Sequence, residues 1–414
     1  MRRSTTSRIA GVTLVELILA TGLAALVVAA TVSIVNSALN LWTRGERVRQ
    51  AREAGTAVLA LIGTDLRQLH GGEEGDLLVD WEMFDLERDG TIERLWPRLR
   101  FLRDASAREI ARIERRRLAY EARVERDRKR AKLGDSAREV QEALSEADIR
   151  GAAGVTREEA ALGLLGAQDV AGTGLVEILY AIVPEASRGA ERYSGVLYRA
   201  ERVHAPDSRP VLLASDAFDR RGTPDLTLAR EVARGVLWMR PLLATQTTRL
   251  GEGAWKGDHG LAAPATSWDA WRLARPDVEI TDWNLPGAGM PRAGVRPLLP
   301  RRVRIELEIQ RPQDRARAPR LLDTVDEAST TFEVTSGATI ARKIGGHVLI
   351  EGEWMRVSHV NGDRITVRRG TRGTGRRTLS AGAAVLFGES IILDVPIALH
   401  EDDWRLTAAA GGGR

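Results

Sequence analysis

Hydrophobic residues follow several rhythms along this chain, and each predicts a different kind of structure. From Leu17 to Trp42 no side chain is ionisable, a run longer than the roughly 18 apolar residues that read as a bilayer-spanning helix. Beyond it the spacing turns amphipathic, with Val48, Ala51, Val58, Ile62, Leu66 and Leu69 recurring at three- and four-residue steps. One helix is therefore predicted from Val12 to about Leu69, roughly 58 residues and on the order of 85 Å at 1.5 Å per residue. Gly22, Gly45 and Gly55 are points where it could bend, and His70-Gly71-Gly72 ends it.

After the helix the rhythm shortens to two. Leu77 to Leu102 reads as short strands, with Trp81, Phe84, Trp96 and Phe101 as core residues. Leu175–Val183 and Val196–Arg202 form a plausible strand pair joined by the polar Glu185–Ser194 loop, and Val232–Leu242 is a further strand. The cleanest alternation is Val303, Ile305, Leu307 and Ile309, which marks a half-buried antiparallel strand. Gly251–Gly260 and Leu285–Pro300, rich in Gly and Pro, are predicted loops, with Trp268, Trp271 and Trp283 between them. These tryptophans could anchor the core or, if exposed, grip a sugar or a protein; Trp268 and Trp271 are the candidate interaction residues.

Two stretches break the strand pattern. Residues 104–150 are dominated by Arg, Glu, Lys and Ala, with only a thin stripe of Ile110, Ile113, Tyr120 and Val124. Gly134-Asp135-Ser136 looks like a break and a cap, with Val140 and Leu144 continuing a second helix. The prediction is a charged helical hairpin, either an arm that contacts a partner or a spacer held by i,i+4 pairs. Residues 332–388 read as a small β module: strands over Ala338–Ile350, Glu353–His359 and Arg364–Arg369 around an Asn361-Gly362-Asp363 turn. An arginine-glycine run at 369–374 follows, where flanking strands favour turn chemistry over RNA binding. Ile391–Leu399 then returns as the last strand beside the one at Leu299–Ile309, and the Gly411-Gly412-Gly413 tail is expected to be disordered.

Composition narrows the chemistry. There is no cysteine among 414 residues, which removes disulfides, zinc-thiolate sites and cysteine nucleophiles together. The six histidines are scattered without metal-site spacing, no Asp-rich calcium loop appears, and no nucleophile, phosphate-loop or dinucleotide motif is present. No cofactor, no metal and no enzymatic activity are expected. Formal charge is +4, and bases are spread among acids without an aromatic-interleaved stripe, so no nucleic-acid partner is expected.

The N-terminus carries the most specific signal. Arg2, Arg3 and Arg8 precede Gly11-Val12-Thr13-Leu14-Val15-Glu16, and the uncharged run follows. A basic head before an apolar run marks a membrane segment, but the small residue stands before the run, so cleavage there would trim the head and keep the helix. A carboxylate inside a spanning helix costs about 2.5–3.5 kcal/mol and normally marks a function and a partner. This order resembles the class III signal of type IV prepilins and type II secretion pseudopilins, with Val12 where phenylalanine is usual. The resemblance implies cleavage after Gly11, N-methylation of Val12, and pairing of Glu16 with a neighbouring subunit's N-terminus during assembly.

Further segments are similar to J-type minor pseudopilins: Asp65-Leu66-Arg67-Gln68-Leu69 closing the helix, Leu179-Tyr180-Ala181-Ile182, Glu231–Val236, Trp268-Asp269-Ala270-Trp271, and the Leu299 strand. The implied fold is α+β and pilin-like, a long N-terminal helix packed on an antiparallel head. Its expected parts are a leader (1–11), a transmembrane and assembly helix (12–36), an amphipathic continuation (37–70), a β head (71–103 and 151–331), the charged insertion (104–150), the β module (332–388) and a last strand with tail (389–414). The implied function is structural, near the tip of a periplasmic pseudopilus, with the head in the periplasm and the helix in the inner membrane. Implied partners are the I- and K-type minor pseudopilins, the major pseudopilin, the prepilin peptidase and the assembly platform. Glu16 speaks against the K-type, which typically lacks that acid. A minor pilin of a type IV pilus or DNA-uptake machine would carry the same signal, and a membrane-anchored surface-binding module is the reading from a different class.

Overall fold

The computed structural model describes residues 14–85, 94–132, 174–185, 190–204, 217–218, 223–244, 267–271, 297 and 299–397. The chain divides into two compact units, Met1–Ala51 and Arg52–Arg414. Helix α1, Leu14–Arg67, contributes to both. In the first unit it is apolar enough to span a membrane over Leu17–Leu39, with mean hydropathy 2.4. The two threonine hydroxyls of that span are satisfied from within: Thr21 Oγ1 donates to the Leu17 carbonyl at 2.9 Å and Thr31 Oγ1 to that of Val27 at 2.8 Å. A hydroxyl bonded back to its own helix leaves that donor met without water.

The second unit is α+β. Its main sheet has eight strands: β1 (Leu77–Phe84), β2 (Arg94–Ala105), β3 (Gly174–Pro184), β4 (Gly195–Val203), β5 (Ala229–Ala244), β6 (Trp268–Asp269), β7 (Arg302–Ile309) and β12 (Glu389–Pro396). The order is β12-β7-β5-β4-β3-β2-β1-β6 and every pairing is antiparallel. Val58, Leu59, Ile62, Leu66 and Leu69 of α1 share a core with Leu99, Ile178, Met239, Ile305 and Leu307. From Ala51 to Leu69 the predicted stripe is buried, and Val48 at its start is half-buried. Burying one such side chain contributes about 1.5–3 kcal/mol.

None of the glycines breaks α1, which is continuous through Gly22, Gly45 and Gly55. Gly55 has another role: a Cβ there would lie 2.2 Å from Ile391 Cδ1 and 3.2 Å from Ile309 Cγ2. The missing side chain lets the helix approach β7 and β12 closely. The helix ends by joining the sheet, where the His70 N–H donates to the Leu102 carbonyl at 3.0 Å and the Asp104 N–H to that of Gln68 at 2.8 Å. These bonds continue the lane beside β2 that β1 leaves at Leu77↔Phe101.

Helix α2 spans Ala107–Lys132. Ile113 is buried and Ile110 packs against the core, whereas Leu118 and Val124 are exposed. The predicted second helix of the hairpin, with Gly134, Val140 and Leu144, lies outside the described residues.

Between β7 and β12 sits a separate sheet of β8 (Thr331–Glu333), β9 (His347–Ile350), β10 (Glu353–Asn361) and β11 (Arg364–Thr371), in the order β8-β11-β10-β9. The module begins before residue 332, because Leu321 and Val325 belong to its core and bridge to Val334 and Leu379. The strand expected over Ala338–Ile350 is mostly absent. Short helical turns occupy Gly337–Thr339 and Ala341–Lys343, and only His347–Ile350 is extended. The cause is packing: Gly337 abuts the β10–β11 turn so closely that a Cβ would lie 2.3 Å from the Gly362 carbonyl oxygen. That turn is the two-residue hairpin expected from the sequence, with Asn361 opposite Arg364 and Gly362 at φ +60°.

Candidate functional site

The residues singled out by sequence are distributed unevenly. Gly11 and Val12 lie outside the described residues. Glu16 falls within α1, and by sequence it is the sole ionisable residue between Arg8 and Arg44. Trp268 and Trp271 are 1% and 8% exposed, so the use of these two rings as a surface grip does not fit their position. They are clamped to β1: the Ala270 N–H donates to the Leu77 carbonyl at 2.9 Å, and Trp271 Nε1 donates to that of Gly75 at 3.0 Å. Trp283 lies outside the described residues.

A buried charge network joins α1 to the sheet. Asp65, 3% exposed, accepts from Tyr180 Oη at 2.6 Å, Arg199 Nε at 2.7 Å and Arg199 Nη2 at 3.1 Å. Arg103 Nε lies 3.2 Å from the same carboxylate. Arg199 also pairs with Glu201, whose other oxygen meets Arg116 Nη1 of α2 at 2.7 Å. Burial and then the Asp65 charge push the Tyr180 hydroxyl well above its usual pKa. Burial opposes the Arg199 cation, but Asp65 outweighs it and raises that pKa. Burial would lift the Glu201 carboxyl, yet Arg199 and Arg116 hold it below the usual range. All three groups keep their neutral-pH states, so the network acts as a structural fastener and not as acid–base machinery.

A second cluster seats the β module on the main sheet. Trp238, Leu237 and Tyr193 pack with Trp354, Leu349 and Leu386. Trp238 and Trp354 meet edge-on with centroids 5.9 Å apart. Arg372 lies 4.2 Å from the Trp354 centroid and 5.0 Å from that of Trp238, and its Nη1 donates to Glu308 Oε2 at 2.7 Å. Arg94 stands 5.8 Å from the Trp354 ring and donates to the Leu237 carbonyl at 3.0 Å. Burial pulls its guanidinium down to about 9, which still leaves it charged at neutral pH. Sequence reasoning missed this seam because its members are far apart in the chain.

Among the described residues no group of His, Asp or Glu could hold a metal ion. The chain matches no protein-family model, no curated protein and no solved structure at a significant level.

Proposed function

We propose that this chain is a structural minor pseudopilin of the J-type in a type II secretion system. It would be anchored in the inner membrane, with its head in the periplasm, and would be incorporated near the pseudopilus tip. The observation that carries the reading is Glu16, the lone ionisable residue between Arg8 and Arg44, placed five residues after Gly11. A membrane-spanning length of α1 and an antiparallel head packed on the end of the same helix are consistent with it. Glu16 would be neutralised by the freed amine of a neighbouring subunit, which lets the helix leave lipid for a helical bundle. The I- and K-type minor pseudopilins, the major pseudopilin, the peptidase and the assembly platform are the expected partners.

Intact mass and N-terminal sequencing of protein from native membranes test the first half of this reading. The expected chain begins at N-methyl-Val12, and Gly11→Ala retains the leader. A mature chain that still begins at Met1 sinks the assignment. For the second half, Glu16→Ala is expected to reach the membrane in normal amount but to drop out of purified filaments. Incorporation equal to the unsubstituted protein would remove the charge-pairing role.

A further inference from the structure

We propose that the exposed face of the four-stranded module sheet, centred on Arg356, His359 and Arg368, docks a carboxylate-rich segment of a partner protein. Arg356 and Arg368 stand directly opposite each other on β10 and β11, and both are exposed. Like charges at such a pair destabilise a sheet. Elsewhere this protein avoids the arrangement: Asp80 faces Arg98, Glu177 faces Arg202, Arg240 faces Glu306, Arg304 faces Asp394, and Arg364 faces Glu333. Among the described strands the other like-charge pair is Arg199↔Arg230, where Arg199 binds Asp65 and Glu201 lies nearby. Among the described residues no acid forms an ion pair with Arg356 or Arg368; Arg356 Nε donates to the Gly345 carbonyl at 3.2 Å.

A β-bulge strengthens the case. The register slips between Val357 and His359, which turns His359, opposite Thr366, onto the same face as the two arginines. Thr331, opposite Thr366 on β8, adds a hydroxyl to that face. His347, opposite Arg356 on β9, packs against Trp354 at the seam; burial first, and then Arg372, Arg356 and Arg240, lower its pKa to about 4.

Across the module, residues 321–388, nine Lys or Arg stand against seven acids, and five of those acids are engaged: Glu351, Glu353, Asp363 and Asp326 accept from backbone N–H groups of Ser380, Gly370, Gly337 and Ser329, and Glu333 faces Arg364. Arg356, His359 and Arg368 are exposed beyond the end of this face that Trp354 and Leu349 seat against Trp238. The Cβ atoms of directly opposed residues on neighbouring strands stand about 5 Å apart, from which long arginine stems can splay. An extended peptide repeats side chains on one side about every 7 Å, so acids at alternate positions can each meet one guanidinium, which binds carboxylate in a fork.

The test uses the full-length protein in detergent and a fluorescein-labelled peptide of alternating Asp and Ser, read by anisotropy at low salt. The Asp peptide is expected to bind, the matching Asn-Ser peptide not to bind, and Arg356→Gln/Arg368→Gln to weaken binding by about tenfold or more. Arg115→Gln/Arg126→Gln, which removes the same charge from α2, is expected to leave it unchanged. No binding by the unsubstituted protein, or equal loss in both double variants, overturns the proposal. So does displacement of the peptide by an equal concentration of inorganic phosphate, which would mark a simple anion site. The thermal midpoint is a separate readout: relief of the like-charge pair should hold or raise it, and a fall would make the pair structural.

Discussion

Asp65→Ala is expected to destabilise the second unit by about 3–5 kcal/mol, the usual consequence of leaving buried cations without their counter-charge. The carboxylate receives three hydrogen bonds from Tyr180 and Arg199 and an ion pair from Arg103. Alanine would leave Arg199 and Arg103, 2% and 1% exposed in their side chains, facing each other with Glu201 and Glu109 as the remaining acids. Asp65→Asn keeps acceptor geometry and loses the charge, so its effect should fall between alanine and the unsubstituted protein. Tyr180→Phe removes one donor to the charged carboxylate and should cost about 1.5–3 kcal/mol. Urea unfolding followed by tryptophan fluorescence measures all three. An alanine variant with an unchanged midpoint would mean that water reaches the site.

The second large effect is expected at Arg369, which holds the module together from inside. Its guanidinium grips Glu353 at 2.8 and 2.6 Å and also donates to the carbonyls of Asp326, Ser329 and Arg377. Glu353 in turn accepts from the N–H groups of Gly370 and Arg377. Both side chains are fully buried. Arg369→Met should cost about 3–5 kcal/mol. Pairing it with Glu353→Met should recover little, because three stretches of backbone lose their partners as well. Limited proteolysis should then open the segments at 326–330 and 374–378 first. Rescue by the double methionine variant would reduce the site to a simple ion pair.

The sequence made the repetitive features legible. Helical spacing picked out Val58, Ile62, Leu66 and Leu69, and strict alternation picked out Val303 to Ile309, because burial on one face leaves a period in the chain. The return of the last strand beside that one was also readable, as was the Gly362 turn. Buried charge was not. Asp65 and Arg199 are 134 residues apart, and a charged residue in isolation reads as surface. The module's true start at Leu321 was hidden by a polar stretch with two isolated anchors. The segment from Ala338 read as extended, yet close packing of Gly337 under the hairpin accompanies turns at Gly337–Thr339 and Ala341–Lys343. Arg356 facing Arg368 could not be foreseen either: a regular hairpin from Asn361↔Arg364 would set Arg368 opposite Val357, and the bulge moves it by one. Of the candidate site, the N-terminal motif is a sequence feature, whereas the cationic face exists only in the folded sheet.

The position of the module between β7 and β12 also governs the order in which the protein can mature. Glu389 pairs with Ile309, 80 positions earlier (389 minus 309). Closing so long a span by chance is entropically costly and slow. Once the module has folded, however, its two ends lie side by side, and the remaining closure becomes as local as a hairpin. During synthesis the edge of the main sheet, and the surface of α1 around Gly55 that β12 covers, stay open until the module is complete. The strand that seals the main sheet's edge is thus also the one made after the module, so its pairing with β7 spans the whole of that insertion.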